Sequence, residues 1–313
     1  MKEAFKLQPE YRDYVWGGQA LRPGQLTAEA WIVFEGDRIA SGPQTGLTLA
    51  EASAQDPAGL LGRAPVARTG ARFPLLIKLL DCVQWLSIQV HPNDEQAVLL
   101  EGPGQFGKTE AWHFLKTEPD AEILAGLRPG APPEELAQAI HGGAALLDTA
   151  QHLKVHGGDT VYIPAGMLHA LGPGTLLYEV QQTSNITYRV YDWDRPASAG
   201  RPLHIAQSLA VTNPALSGQV IPPPALDEGG RSRLIHCPYF TLERLDAARQ
   251  PIGLDPAGES FHILTVTQGQ ARVEGAGWTI DLDPLQTALV PAGAGAYRLT
   301  AENPARVLLA YVE

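Results

Sequence analysis

A short unit occurs twice in this chain and limits what it can fold into. Gly158-Asp159-Thr160-Val161-Tyr162-Ile163-Pro164-Ala165-Gly166 is matched by Asp283-Pro284-Leu285-Gln286-Thr287-Ala288-Leu289-Val290-Pro291-Ala292-Gly293. Each copy is a turn, a brief apolar strand and a Pro-Ala-Gly bend. A strand closed off this tightly cannot be part of a long helix. Thirty-two glycines and 26 prolines cut most of the chain into similar apolar runs. Short strands about 8–12 residues apart indicate sandwiches or jelly-roll barrels.

The first block reads as strands at Ala30–Glu35, Pro74–Asp81, Trp85–His91, Ala111–Lys116, Glu122–Leu127, Thr160–Ile163, Thr175–Gln181 and Ile186–Tyr191. The second places strands at Tyr239–Leu245, Phe261–Thr267, Ala271–Glu274, Trp278–Asp281, Thr287–Val290, Ala296–Thr300 and Arg306–Val312. Helices are few. Asn93 caps Asn93–Leu100, with Asp94 and Glu95 suiting its first turn. Pro132–Ile140 begins with prolines ahead of Glu134 and Glu135, and Thr48–Ala54 and Leu203–Val211 allow about two turns each. Prolines 202, 214 and 222–224 mark a linker with one embedded helix. The expectation is a mainly β protein of two tandem jelly-roll β-barrels with a few short helices. Its parts are a metal-binding domain at 1–200, a connector at 201–232 and a second β domain at 233–313.

Composition excludes several classes. A net charge of −11 argues against nucleic acid, whose phosphates need a basic surface. No run approaches the ~20 apolar residues of a membrane span, and the charged start Met1–Leu7 is not a signal peptide. Cys82 and Cys237 are too far apart for a CxxC motif and too few for a disulfide framework. The expected location is cytoplasmic, the partner a small molecule, and the assembly a monomer or homodimer.

The chemistry is carried by Trp85-Leu86-Ser87-Ile88-Gln89-Val90-His91-Pro92. Alternation along a strand sends Ser87, Gln89 and His91 to one face and Leu86, Ile88 and Val90 to the other. A buried Gln and His need a partner. A divalent cation would satisfy both, with Glu110 and His169 completing a four-ligand shell. Alone, His91 would read as a satisfied core histidine, and His113, His152, His156 and His262 are read that way. His113 falls on the strand face opposite Glu110.

Gly158–His169 fits G-x5-P-x-G-x2-H, the second motif of the cupin barrels. Other segments point further: Trp16-Gly17-Gly18, Pro74–Asp81, Gln89-Val90-His91-Pro92, Gly107-Lys108-Thr109-Glu110-Ala111-Trp112, and Glu179 through Asn185 on to Arg189 and Asp192. In this order they resemble the type I mannose-6-phosphate isomerases (phosphomannose isomerases) in their short bacterial form. The resemblance spans most of residues 14–195. The C-terminal block resembles the family's degenerate second cupin.

The resemblance implies one Zn²⁺ per chain, other divalent ions being possible, on Gln89, His91, Glu110 and His169. Zinc accepts nitrogen and carboxylate donors and keeps a position open in catalytic sites. It also implies a phosphosugar substrate, with mannose 6-phosphate and fructose 6-phosphate interconverted by proton transfer through a cis-enediol. Arg189 matches the active-site arginine, a permanently protonated group suited to the enediolate. Glu179 is the candidate base, or else a carboxylate orienting its neighbours; Lys108 and metal-bound hydroxide are the alternatives. Ser87 and Lys108 are the phosphate candidates. Lys78, in an apolar strand, could pair with a buried carboxylate. A metal-dependent cupin dioxygenase would want a redox metal in a facial His/carboxylate shell, which Gln89 opposes. A non-catalytic sugar-binding bicupin would not need Arg189 and Glu179.

Overall fold

A computed structural model describes residues 1–130, 133–195, 201–227 and 230–313, the side chains of 133–135 excepted. The expected helix start at Pro132, the side chains of Glu134 and Glu135, and residues 196–200 at the end of the expected first domain therefore lie outside what is described.

The chain forms two compact units, and their boundaries differ from the expected ones. One comprises Met1–Glu10, Trp31–Ile77 and Pro223–Glu313, the other Tyr11–Ala30 and Lys78–Pro222. The first stretch joins the C-terminal block because Phe5–Lys6 is a strand paired with Thr287–Val290, Phe5 opposite Leu289. Two residues are too few to show alternation, so the sequence pattern cannot reveal that strand. The helical stretch within 49–69 joins the same unit; Arg63 N donates to Gly258 O, and the Phe73 and Phe261 rings lie 4.8 Å apart. The expected connector also divides. Its strand Val220–Ile221 pairs with Thr160 and Val161 in the other unit, and its helix spans Ile205–Val211.

Each unit is a pair of open sheets, where closed barrels were expected. In the first unit the six-stranded sheet runs Phe5–Lys6, Thr287–Val290, His262–Gln268, Ala305–Tyr311, Thr241–Ala247, Arg231–His236. A four-stranded sheet of Ile252–Leu254, Tyr297–Thr300, Ala271–Gly275 and Trp278–Leu282 completes it. Leu264, Val266 and Leu309 from the larger sheet share one core with Val273, Leu282 and Leu299 from the smaller. Burial of such side chains, about 1.5–3 kcal/mol each, is what holds a sandwich closed.

The second unit carries the chemistry. Its five-stranded sheet is ordered Tyr188–Tyr191, Ile88–Val90, His169–Leu171, Glu122–Leu127, Ala150–Lys154. The seven-stranded sheet has Thr160–Ile163, Glu110–Thr117, Thr175–Gln182, Leu75–Cys82 and Glu29–Val33 as inner strands. Trp112, Phe114, Val161 and Leu177 from the larger sheet pack with Ile123, Ala125 and Leu171 from the smaller. Only Ile88–Val90 of the expected strand Trp85–His91 pairs as a strand, because Pro92 and the Trp85 turn flank it. The Asn93 cap holds on Asp94–Glu101, and Thr48 caps Leu49–Gln55 through a reciprocal bond with Glu51.

Candidate active site

Strand register assembles the site. His169 stands opposite Gln89 on one neighbour, and Arg189 stands opposite Gln89 on the other. Glu110 comes from the facing sheet, two residues from Trp112 and so on the same strand face.

Each ligand candidate is fixed by local backbone. Gly166, at φ 85°, bends the chain after Pro164; its N–H donates to His91 O (2.8 Å) and Met167 N to Pro164 O (3.1 Å). His169 Nδ1 then donates to Met167 O at 2.8 Å, and His91 Nδ1 to Ile186 O at 2.8 Å. With those protons on Nδ1, both Nε2 atoms present lone pairs inward. Burial and the Lys108 charge hold both imidazoles neutral, His169 lowered to about 3 and His91 lowered well below its ordinary 6.5.

Those lone pairs meet a carboxylate. His169 Nε2 is 3.3 Å from Glu110 Oε1, and His91 Nε2 is 3.5 Å from Glu110 Oε2. Glu110 Oε1 is buried and accepts no hydrogen bond. Acceptors buried face to face are costly unless a cation joins them. The ligand atoms of His91, Glu110 and His169 lie within 4.8 Å of one another. The Gln89 amide nitrogen is 3.4 Å from His169 Nε2, so a half-turn of the amide would bring its oxygen in as a fourth donor. This donor set, two imidazoles, a carboxylate and an amide, fits a divalent ion of the zinc type. Burial, followed by the Glu179 charge, raises Glu110 to about 7.

Lys108 is placed against these ligands. Its Nζ donates to Glu110 Oε2 and lies 2.9 Å from His91 Nε2, so its charge is directed at the ligand set. Gly107 makes this possible. A Cβ there would come within 2.5 Å of the Asn93 carbonyl carbon, and its N–H donates to Asp94 Oδ1 at 2.8 Å.

Glu179 occupies a different position from that of a free base. Oε1 accepts from Lys78 Nζ at 3.1 Å and Oε2 from Trp112 Nε1 at 3.0 Å. Although burial opposes ionisation, Lys78 and Lys108 hold this carboxyl down at about 2. Lys78 also lies 4.0 Å from Glu29. The pairing expected as one possibility for Lys78 is therefore with Glu179.

A cavity of about 450 Å³ opens beside this cluster, lined among others by Ser87, Gln89, Lys108, Glu179, Arg189 and Arg201. That is within the usual range for small-ligand sites, about 300–1,000 Å³. Ser87 Oγ is 3.4 Å from Gln89 Oε1 and accepts from Arg189 Nε at 3.1 Å and Arg201 Nη2 at 3.3 Å. Burial and nearby Arg201 lower the Arg189 pKa from its ordinary value. Sequence reasoning missed Arg201, and no local pattern distinguishes it from a loop arginine. His113 bonds Thr160 Oγ1 at 3.0 Å, away from the site.

Comparison with known proteins finds relatives along nearly the whole chain. A family model for the phosphomannose isomerase type I catalytic domain matches residues 4–108. Mannose-6-phosphate isomerase ManA of Bacillus subtilis (strain 168) is 32% identical over 311 residues, 95% of this chain and 96% of that protein. The crystal structure of mannose 6-phosphate isomerase from Bacillus subtilis superposes with a TM-score of 0.85 at 29% identity, covering 99% of this chain and 100% of that one. A zinc-bound mannose 6-phosphate isomerase structure shares the fold at a TM-score of 0.77 and 19% identity, covering 99% and 100% of the two chains. With near full-length identity above 30% and this fold, the chain belongs to the type I phosphomannose isomerase family of enzymes.

Proposed function

We propose that the chain interconverts mannose 6-phosphate and fructose 6-phosphate in a zinc-dependent reaction that passes a proton between C2 and C1. The observation that carries this reading is Glu110 Oε1. It is buried without a hydrogen bond and faces the His169 lone pair at 3.3 Å, beside a cavity lined by arginines.

Gln89, His91, Glu110 and His169 would hold one Zn²⁺, which when bound supplies Lewis acidity toward sugar oxygens. Arg189, directly across the strand pair from Gln89, is in position to hold the negative charge that develops on O1 and O2. Among the described residues it has no ion-pair partner, so its charge is available to substrate. Lys108, as the free amine, would take the proton from C2 and return it at C1, since its Nζ touches the ligand set and lines the cavity. Glu179 is a poor base here, because Lys78 and Trp112 occupy both oxygens. Its role is to keep Lys78 and Trp112 in place, and Trp112 in turn packs edge-on against His169. The Ser87 side of the cavity, between two guanidiniums, suits the phosphate.

A coupled assay for fructose 6-phosphate formed from mannose 6-phosphate tests this reading. Activity should vanish on chelation and return with zinc. Turnover unaffected by exhaustive chelation would refute the metal role, and no turnover with zinc-loaded protein would refute the isomerase reading.

A further inference from the structure

Arg189 and Arg201 both donate to Ser87 Oγ, at 3.1 and 3.3 Å. Two guanidiniums on one neutral oxygen repel each other, so something must hold them there. Asp192 accounts for one of them. Its carboxylate, 6% exposed, accepts from Arg201 Nε at 2.8 Å and from Arg201 Nη2 at 3.3 Å, a two-pronged grip. Arg195 Nη1 adds a third bond at 2.8 Å, and Arg195 Nη2 is tied to Trp85 O at 2.7 Å. The carboxylate is thus clamped before it orients anything. Its ion pairs are with Arg195 and Arg201, so one carboxylate faces two guanidiniums, while Arg189 has no ion-pair partner among the described residues. The excess positive charge falls on the pair that lines the cavity.

We propose that Asp192 is a positioning residue. It sets the Arg201 fork against Ser87, and so makes Arg201 a seat selective for a dianion, the phosphate end of the substrate, leaving Arg189 to the reacting oxygens. This rests on the isomerase reading above, and it adds the group that makes the phosphate side of the cavity selective. A planar guanidinium gripped through two N–H groups loses little freedom on binding, whereas a loosely held one must first be ordered.

The test uses zinc-loaded protein and two readouts: calorimetric affinity for inorganic phosphate, and KM and kcat for mannose 6-phosphate. Asp192→Asn should weaken phosphate binding and raise KM about tenfold, as for one lost charged hydrogen bond. The value of kcat should stay within about twofold, because the reacting carbons sit toward the ligand set. Asp192 acts through Arg201, so Asp192→Asn combined with Arg201→Gln should be no worse than Arg201→Gln alone. A lowered melting temperature with unchanged phosphate affinity and KM would overturn the proposal, as would additive effects in the double variant. If Asp192→Asn does not fold, Arg201→Lys removes the fork while keeping the charge, and phosphate affinity equal to wild type would then overturn it. Phosphate affinity that depends on Asp192 in a protein without isomerase turnover supports the seat and overturns the isomerase reading alone.

Discussion

Replacing Glu179 separates a proton-transfer role from a scaffolding one. Lys78 and Glu179 form a buried pair with side chains 6% and 5% exposed, and Glu29 is the next carboxylate to the ammonium, at 4.0 Å. Glu179→Gln takes away the closer carboxylate and leaves Glu29, at 4.0 Å, as a more distant counter-charge. Breaking a buried pair from one side costs about 3–5 kcal/mol, and the remaining Glu29 puts this case near 3. Lys78→Met removes the cation shared by two carboxylates, so it should cost nearer 5 kcal/mol. The double variant should cost clearly less than the sum, because neither partner is left charged and alone. Reversible urea unfolding of the four proteins measures the cycle. At about 2–4 °C per kcal/mol, Glu179→Gln should lower the melting temperature by about 6–12 °C. If Glu179→Gln melts like wild type yet loses about 10²–10⁴ in turnover, Glu179 is the general base and the reasoning here is wrong.

Three other outcomes follow from the geometry. Lys108→Met removes an ammonium 2.9 Å from His91 Nε2, so zinc content should stay at one per chain, with affinity at least equal to wild type, while turnover falls by about 10²–10⁴; loss of zinc by elemental analysis would contradict this. In chelated protein, His91 and His169 are held neutral in the fold, the latter at about 3 against an ordinary 6.5. The unfolded chain therefore binds more protons between those values, and stability should fall as pH drops from 6.5, by up to about 1.4 kcal/mol per unit for each histidine; a flat melting profile from pH 7 to 5 would contradict it. Gly107→Ala puts a methyl 2.5 Å from the Asn93 carbonyl carbon, so it should cost about 1–3 kcal/mol and displace Lys108, lowering kcat more than KM changes; wild-type kinetics would show that the loop yields freely.

The convergence of Gln89, His91, Glu110 and His169 was legible in the sequence because it depends on alternation and on one bend. Gln89 and His91 share a face by spacing alone, and Gly166 marks the turn that points His169 inward. The Lys78 pairing was legible only as a possibility, because a lone lysine in Leu75–Cys82 says that a carboxylate is needed without saying which. Arg201, and its pairing with Asp192, were hidden for a different reason. Their bond spans nine residues through a proline- and glycine-rich stretch with no periodic pattern to read. The unit boundaries were hidden because Phe5–Lys6 is two residues long and becomes recognisable only beside Thr287–Val290. Jelly-roll spacing predicted the short strands correctly but could not say whether the sheets close.

Gln89 has His169 across from it on one side and Arg189 on the other. The separation between the proposed metal donors Gln89 and His169 and the proposed anion-holding Arg189 is therefore set by ladder hydrogen bonds, and a slip of one residue would turn every side chain over. Ile88–Val90 acts as a ruler of fixed length. Adapting this scaffold to a longer or shorter sugar phosphate would thus have to happen in the segment carrying Arg201, where chain can be added without disturbing the ligands.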